Sequence, residues 1–530
     1  MTELTDWFLT TGERGNAATS IPAWCTGNQV EPLIHGATYF DRLAAAVTEM
    51  RHGDYLFFTD WRGDPDERVR DGGPTIAELF CHAAERGVVV KGLMWRSHLD
   101  KFSYSEEENQ HLGDDIEAAG GEVLLDQRVR FGGSHHQKMV VLRHPGAPER
   151  DIAFAGGIDL CHSRRDDANH HGDPQAVQMA SAYGDHPPWH DVQLAIHGPA
   201  VGALDSSFRE RWTDPASLDK LSPIAWITDK LRRADLSPGE LPPQPADPPP
   251  AGPQAVQVLR TYPDAHFEYA FAPHGERSVA RGYTKAVQRA TRLIYLEDQY
   301  LWSKQVAHLL AGALRANPDL HLIAVVPRHP DVDGRFALPP NQVGRRQAIE
   351  TCREADPRRV HIFDVENQVG TPVYVHAKVC VIDDVWACVG SDNFNRRSWT
   401  HDSELSCAVL DDTRDDRTPR DPASRGDGAR VFARDLRLRL LREHLDRADD
   451  GSDDDGLIDP GDVVRTVAAS AQALQDWHDG GRIGPRPPGR LRPHRPEQLG
   501  RFTRMWAEPL YRAVYDPDGR SYRDRLRRRW

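Results

Sequence analysis

Short apolar runs with the length of strands recur along the chain, separated by stretches whose apolar positions repeat as in a helix. In the first part, 54–60 (DYLFFTD), 88–95 (VVVKGLMW), 122–126 (EVLLD) and 192–198 (VQLAIHG) read as strands, with a helical pattern over 75–87 between them. Further along, 292–298 (RLIYLED), 320–327 (LHLIAVVP) and 359–363 (RVHIF) repeat that rhythm, and helical patterns follow Ser303 and Val343. Strands alternating with helices predict an α/β fold of two similar halves, each a mixed sheet flanked by helices. A pseudo-twofold would relate the halves, with an active site between them. The segment 238–253 holds eight prolines in 16 residues and reads as an extended surface linker. The expected organisation is therefore a first half (1–237), the linker (238–253), a second half (254–450) and a C-terminal extension (451–530). Two polar stretches, 411–430 and 446–456, read as solvated loops.

Two of the apolar runs begin with the same pair. His136 and Lys138 open HHQKMVVL, and AFAGGID (153–159) follows; His376 and Lys378 open VHAKVCVIDDVWACVGSDN. Residues i and i+2 of a strand share a face, so each imidazole projects beside its ammonium group. Each run then turns and returns to a glycine corner. One imidazole and one lysine on each of two hairpins suit phosphodiester transfer. Two lysines can neutralise phosphate oxygens, one imidazole can attack phosphorus, and the other can protonate the leaving oxygen.

The second copy, His376-x-Lys378 followed after four intervening residues by Asp383 and then by GSDNFNRRSW, resembles the HKD signature of the phospholipase D superfamily. The words HHQK (135–138), AFAGGIDLC (153–161), PWHD (188–191), IYLEDQYL (294–301) and HDSE (401–404) are similar to those of its eukaryotic-type and actinobacterial phospholipase branches. The resemblance runs from about 54 to 410 in the expected order. It implies His136 as a nucleophile forming a phosphohistidine and His376 as the acid that protonates the departing alcohol. Lys138, Lys378, Ser391, Asn393 and Asp159 would line the phosphate site. Glu404 would orient one imidazole. Asp166, with Asp167 in competition, is the expected counterpart after the first motif. Asp383 and Gln299 would be supporting residues, as would Glu297.

The first copy departs from the pattern: Arg143 stands where the aspartate is expected. Its hairpin is also longer, with His136 and Gly156 20 residues apart against 14 for His376 and Gly390, and Asp151 in the added turn could replace the missing acid. Trp189-His190-Asp191 is expected to be architectural, because adjacent strand residues face opposite sides. Cys380 and Cys388 read as small buried residues. The pair His170-His171 lacks metal-ligand spacing, so neither metal nor cofactor is expected.

Composition narrows the setting. No run approaches the ~18 apolar residues of a membrane span, and MTELTDWFLTTGERGN has no signal-peptide pattern. Seven cysteines without a CxxC pair argue against a disulfide framework. A cytoplasmic or peripheral membrane location and a monomer are expected. The net charge of −14 divides into +9 over 482–530 and −23 elsewhere. An acidic body disfavours a stable nucleic-acid partner. The basic tail either folds back onto that body or meets anionic lipid or nucleic acid, and Trp506, Leu510, Tyr511 and Val514 have the helical spacing to pack inward. The expected activity is hydrolysis, or transfer to an alcohol, of glycerophospholipid presented on a membrane or micelle. Cardiolipin-synthase-type transfer, a superfamily nuclease and an inactive lipid-binding protein are the alternatives.

Overall fold

The computed structural model describes residues 4–96, 106–216, 218, 238–264, 269–333, 338–527 and 530. Its first half contains β1 (Cys25–Ile34), β2 (Tyr55–Asp60), β3 (Val89–Trp95), β4 (Glu122–Asp126), β5 (Met139–Arg143), β6 (Ile152–Gly156), β7 (Trp189–His190) and β8 (Val192–His197). The second contains β9 (Gln254–Tyr262), β10 (Glu276–Arg277), β11 (Leu293–Glu297), β12 (His321–Val325), β13 (Val360–Val365), β14 (Tyr374–Val375), β15 (Val379–Ile382), β16 (Trp386–Gly390) and β17 (Glu404–Asp411), and β18 (Leu491–Pro493) follows.

The main strands run β1-β8-β6-β5-β2-β3-β4 in one half and β9-β17-β16-β15-β11-β12-β13 in the other. Neighbours are antiparallel as far as β2 and β11, and the last two pairings of each set are parallel. Order and sense thus match strand for strand. The duplication predicted from the two His-x-Lys runs is a duplication of the whole sheet.

The halves are joined rather than separate. Antiparallel pairing of β1 with β9 fuses the two arrays into one sheet of 16 strands. Neither strand is among those predicted: β1 (CTGNQVEPLI) carries Gly, Asn, Gln, Glu and Pro, residues that weaken a strand signal. On one face, a single core runs across both halves. It takes Leu204, Phe208 and Trp212 from helix Ala200–Trp212, and Leu436, Leu440 and Leu441 from helix Val431–His444. The opposite faces carry separate helical layers.

Three details bear on the expected organisation. Trp7, Phe8 and Leu9 lie in the second half's core, not the first half's. The boundary at 237 falls outside the described residues. The prolines of 238–253 lie extended over helix Ala200–Trp212, where Trp212 Nε1 donates to the Gly239 carbonyl at 2.8 Å.

The extension folds onto the body: helix Pro460–Asp479 buries Val463, Val467 and Ala471, and β18 pairs with β13. Its arginines meet body carboxylates, Arg490 with Asp446 at 2.7 Å and Arg492 with Glu366 at 3.4 Å. Of the four residues expected to pack inward, only Tyr511 is buried. Val514 and Trp506 face outward on the same side as Phe502 (84% exposed) and Met505. Among the described residues, no helix is long and apolar enough to cross a membrane.

Candidate active site

Two short parallel contacts between the halves set the centre. β7 pairs with β14, Val375 opposite His190, and His135 bridges to Ser403 in the same sense. One residue beyond each contact, a histidine meets a carboxylate of the other half. His136 Nδ1 donates to Glu404 at 2.9 Å, and His376 Nδ1 donates to Asp191 at 2.7 Å. A ring nitrogen committed to a carboxylate fixes the tautomer and leaves Nε2 for chemistry.

Glu404 therefore orients His136, and its counterpart is Asp191 rather than Asp166. Asp166 touches neither ring. It accepts from the backbone N–H groups of Asp167, Gly172 and Trp189, and so shapes the loop that delivers Asp191. Asp167 turns back onto Asn169. The expectation that Trp189-His190-Asp191 is architectural holds only for His190, which turns to Glu297; Asp191 meets His376 and Trp189 packs on its ring. Sequence order contained a usable signal: Glu404 and Asp191 occupy equivalent places, at the start of β17 and just before β8.

The corners also correspond, Gly156-Gly157-Ile158-Asp159 with Gly390-Ser391-Asp392-Asn393. Ser391 Oγ donates to Glu404 at 2.6 Å. At Gly157 a Cβ would lie 2.1 Å from Asp191 Oδ1, so the shorter acid needs a glycine beside it. Lys138 Nζ is 3.2 Å from Asp159 and donates to the His136 carbonyl at 3.1 Å. Lys378 Nζ donates to the His376 carbonyl and lies 3.5 Å from Gln299 Oε1, and Gln299 Nε2 donates to Tyr374 Oη at 2.7 Å. Asn393 is buried with its Oδ1 unsatisfied. Trp61 stands edge-on to His136, and Trp189 and Tyr374 flank His376. These aromatic walls limit access to water. His136 keeps 15% of its side chain exposed and His376 6%.

Burial and the two lysines hold both imidazoles well below the usual histidine range. Burial also pushes the Lys378 ammonium down to about 8, against the opposing pull of Asp191. Glu404 is pushed well up by burial and by Asp402. Sequence reasoning did not single out Asp60 or Arg164. Arg164 pairs with Asp159 at 3.2 Å and lies 4.0 Å over the Trp189 ring. Burial keeps Asp60 high while Lys138 and Arg164 keep Asp159 ionised.

Asp383 sits outside this centre. Its carboxylate accepts the N–H groups of Thr291, Arg292 and Leu293, pinning the start of β11 to the β15–β16 turn. In the first half, Arg143 is fully buried and pairs with Asp151 and Asp205 at 2.8 Å each. Asp151 thus answers Arg143, and neither approaches the phosphate groups. Glu297 accepts from His190 and His444 beneath the site. Cys380 and Cys388 are buried, free and opposite each other in β15 and β16.

Comparison with known proteins agrees with this geometry. The phospholipase D family profile matches residues 66–309, and the profile described as cardiolipin synthase, PLD-like domain, matches 285–416. Phospholipase D alpha 1 of Cynara cardunculus is 24% identical over 550 aligned residues, covering 80% of this chain and 65% of that one. Phospholipase D alpha 2 of Oryza sativa subsp. japonica is 25% identical, covering 87% and 70%. The match thus spans less than two thirds of the first relative's length. In fold, the phosphatidylserine synthase of Haemophilus influenzae aligns with a TM-score of 0.51 at 12% identity, over 76% of this chain and 86% of that one. With two matched sheets, paired histidines and these relatives together, the chain belongs to the phospholipase D superfamily.

Proposed function

We propose that the protein is a phospholipase D, cleaving glycerophospholipids to phosphatidic acid and a free head group. The observation that carries the reading is the crossed pair of buried contacts, His136 to Glu404 and His376 to Asp191. Each uses Nδ1 and leaves Nε2 of the ring for chemistry. The phosphodiester enters with its non-bridging oxygens against the lysines, Asn393 and Arg164. His136 Nε2 attacks phosphorus, the P–N bond forms, and the P–O bond to the head group breaks as His376 gives that oxygen its proton. Water or an alcohol then loses a proton to His376, attacks phosphorus and releases His136. The lysines hold both rings neutral in the empty site, as a nucleophile requires. The arriving phosphate charge opposes the lysines and raises the affinity of His376 for its proton.

Because the intermediate is covalent, the same residues support phosphatidyl transfer, and the match of 285–416 to a cardiolipin synthase domain favours keeping that second reading. Exposed Phe502 and Met505 beside Arg501 and Arg504 suit an anionic lipid surface. The test is lipid analysis after incubation with mixed phosphatidylcholine, phosphatidylethanolamine and phosphatidylglycerol vesicles and some ethanol. Phosphatidylethanol and phosphatidic acid, both lost in His136→Ala and His376→Ala, support phospholipase D. Cardiolipin as the main product moves the assignment to the transferase. Unchanged lipids with folded protein reject both.

A further inference from the structure

Directly behind Asp191, four side chains from distant parts of the chain converge. His35 precedes helix Gly36–Thr48, His170 lies in the loop after the first corner, His190 ends β7, and Glu443 comes from helix Val431–His444 of the other half. Glu443 lies 2.7 Å from His35 Nε2, 2.9 Å from His170 Nε2 and 3.4 Å from His190 Nδ1. These four donor atoms all fall within 4.8 Å of one another. The three imidazoles are buried, and the Glu443 side chain is 9% exposed. His35 and His170 hold left-handed backbone, φ 71° and 55°, which costs a residue with a side chain of this size energy that some local interaction must offset.

Proton placement separates this cluster from an ordinary salt bridge. His170 Nδ1 donates to the Trp189 carbonyl at 3.1 Å, and His190 Nε2 donates to Glu297 at 2.7 Å. A neutral imidazole carries one N–H, and each ring has used it. In the neutral form, the nitrogens of these two rings that face Glu443 present lone pairs. Without an ion, and against the lowering effect of burial, Glu297 and Glu443 instead hold a second proton on His190, raising its pKa to about 10. His190 Nδ1 is fully buried and makes no hydrogen bond, yet it is aimed into the cluster. His170 and His190, anchored through the far nitrogen by a carbonyl and a carboxylate with the near nitrogens converging, have the arrangement of metal-ligating histidines. His35 Nε2 joins them, while its Nδ1 has no partner among the described residues. Charge agrees: a dication balances Glu443 and Glu297 with every ring neutral.

We propose that His35, His170, His190 and Glu443 form a closed, four-coordinate site for a divalent transition-metal ion of the zinc class. The donor set of three imidazoles and one carboxylate suits that ion, and a full shell with no open position makes the role structural. The ion ties the first half's active-site loop to the second half's long helix. Because the His376 and Ala377 N–H groups both donate to the His190 carbonyl, it also fixes the segment that carries Asp191.

The test uses the full chain, exposed to zinc sulfate, freed of excess ion by gel filtration and measured for metal by mass spectrometry, with cobalt(II) as a spectroscopic stand-in. The expected result is one zinc per chain and the visible bands of four-coordinate cobalt. Both should be lost in His35→Gln and Glu443→Gln, and Glu297→Gln should weaken zinc binding by about 10- to 100-fold. Should those variants fail to fold, the wild-type melting temperature still decides, since a structural ion raises it with free zinc. Folded wild type that keeps no zinc and melts independently of it overturns the proposal in favour of a proton-balanced cluster. Zinc retained equally by folded His35→Gln overturns it in favour of binding elsewhere.

Discussion

Lys378 gives the sharpest test of how this site is assembled, because its function and its stability pull in opposite directions. Its ammonium is fully buried, and its pKa falls from the usual 10.5 to about 8. That fall of about 2.5 pH units corresponds to about 3 kcal/mol by which folding disfavours the charged form. Between pH 8 and 10.5 the unfolded chain holds a proton that the native chain has shed, so this contribution to stability rises with pH and the penalty is complete below about 8. Lys378→Met keeps the length of the side chain and removes the charge. At pH 7 it should be more stable than wild type by up to about 3 kcal/mol, or about 3 °C in melting temperature for a chain of this size. The gap should close as pH approaches 10. Turnover should drop by about 10²–10³, the usual cost of losing one donor to a developing phosphate charge. For wild type, kcat/KM should decline above pH 8 as the free enzyme loses this charge. Melting curves from pH 7 to 10 and initial rates on dispersed lipid provide both readouts. A variant that melts at or below wild type at pH 7, or a gap independent of pH, refutes the electrostatic argument.

Other residues separate orientation from architecture. Asp191→Asn should remain folded but lose about 10²–10⁴ in kcat, because the amide no longer holds His376 in the required tautomer. Asp166→Asn should instead cost about 1–3 kcal/mol in stability, read from denaturant melts, with kcat near wild type. Arg143→Met strands Asp151 and Asp205 in the interior and should cost about 3–5 kcal/mol without changing kcat; an equal loss of activity would place Arg143 in the site after all. Gly157→Ser puts a Cβ against Asp191 and should cost about 10² in kcat through displacement of His376.

The parts of this centre that one strand can encode were legible in the sequence. His136 with Lys138 and His376 with Lys378 need only the two-residue repeat of a strand, and the glycine corners follow in the same hairpin. Partners that arrive from the other half were not. Asp191 serves a histidine 185 residues further on, so nearness along the chain pointed to Asp166 instead. The joint between the halves was hidden for a related reason. Strand β1 is flanked on both edges by other strands, β8 and β9, and is held by pairing more than by an apolar pattern of its own. Arg143 misled less, because Asp151 in the added turn was already named as a replacement acid, and the two do pair, together with Asp205, in the interior.

Crossed orientation has a consequence for how the protein came to need both halves. In each half the histidine and lysine sit on the segment that leads into β5 or β15, but the carboxylate that meets the ring belongs to the opposite half, so neither half alone presents a complete imidazole–carboxylate pair. The symmetry is topological and not chemical. Glu404 is longer and accepts from Ser391 Oγ, whereas Asp191 is shorter and lies against Gly157. Two equivalent histidines would compete for the same role. In the proposed mechanism these unequal partners, with His136 the more exposed ring and His376 enclosed by Trp189 and Tyr374, would let one attack while the other takes up a proton as the phosphate arrives and passes it to the leaving group. The duplication supplied two copies of a His-x-Lys hairpin, and under the proposed mechanism the divergence of the residues behind them would turn two like groups into a nucleophile and an acid.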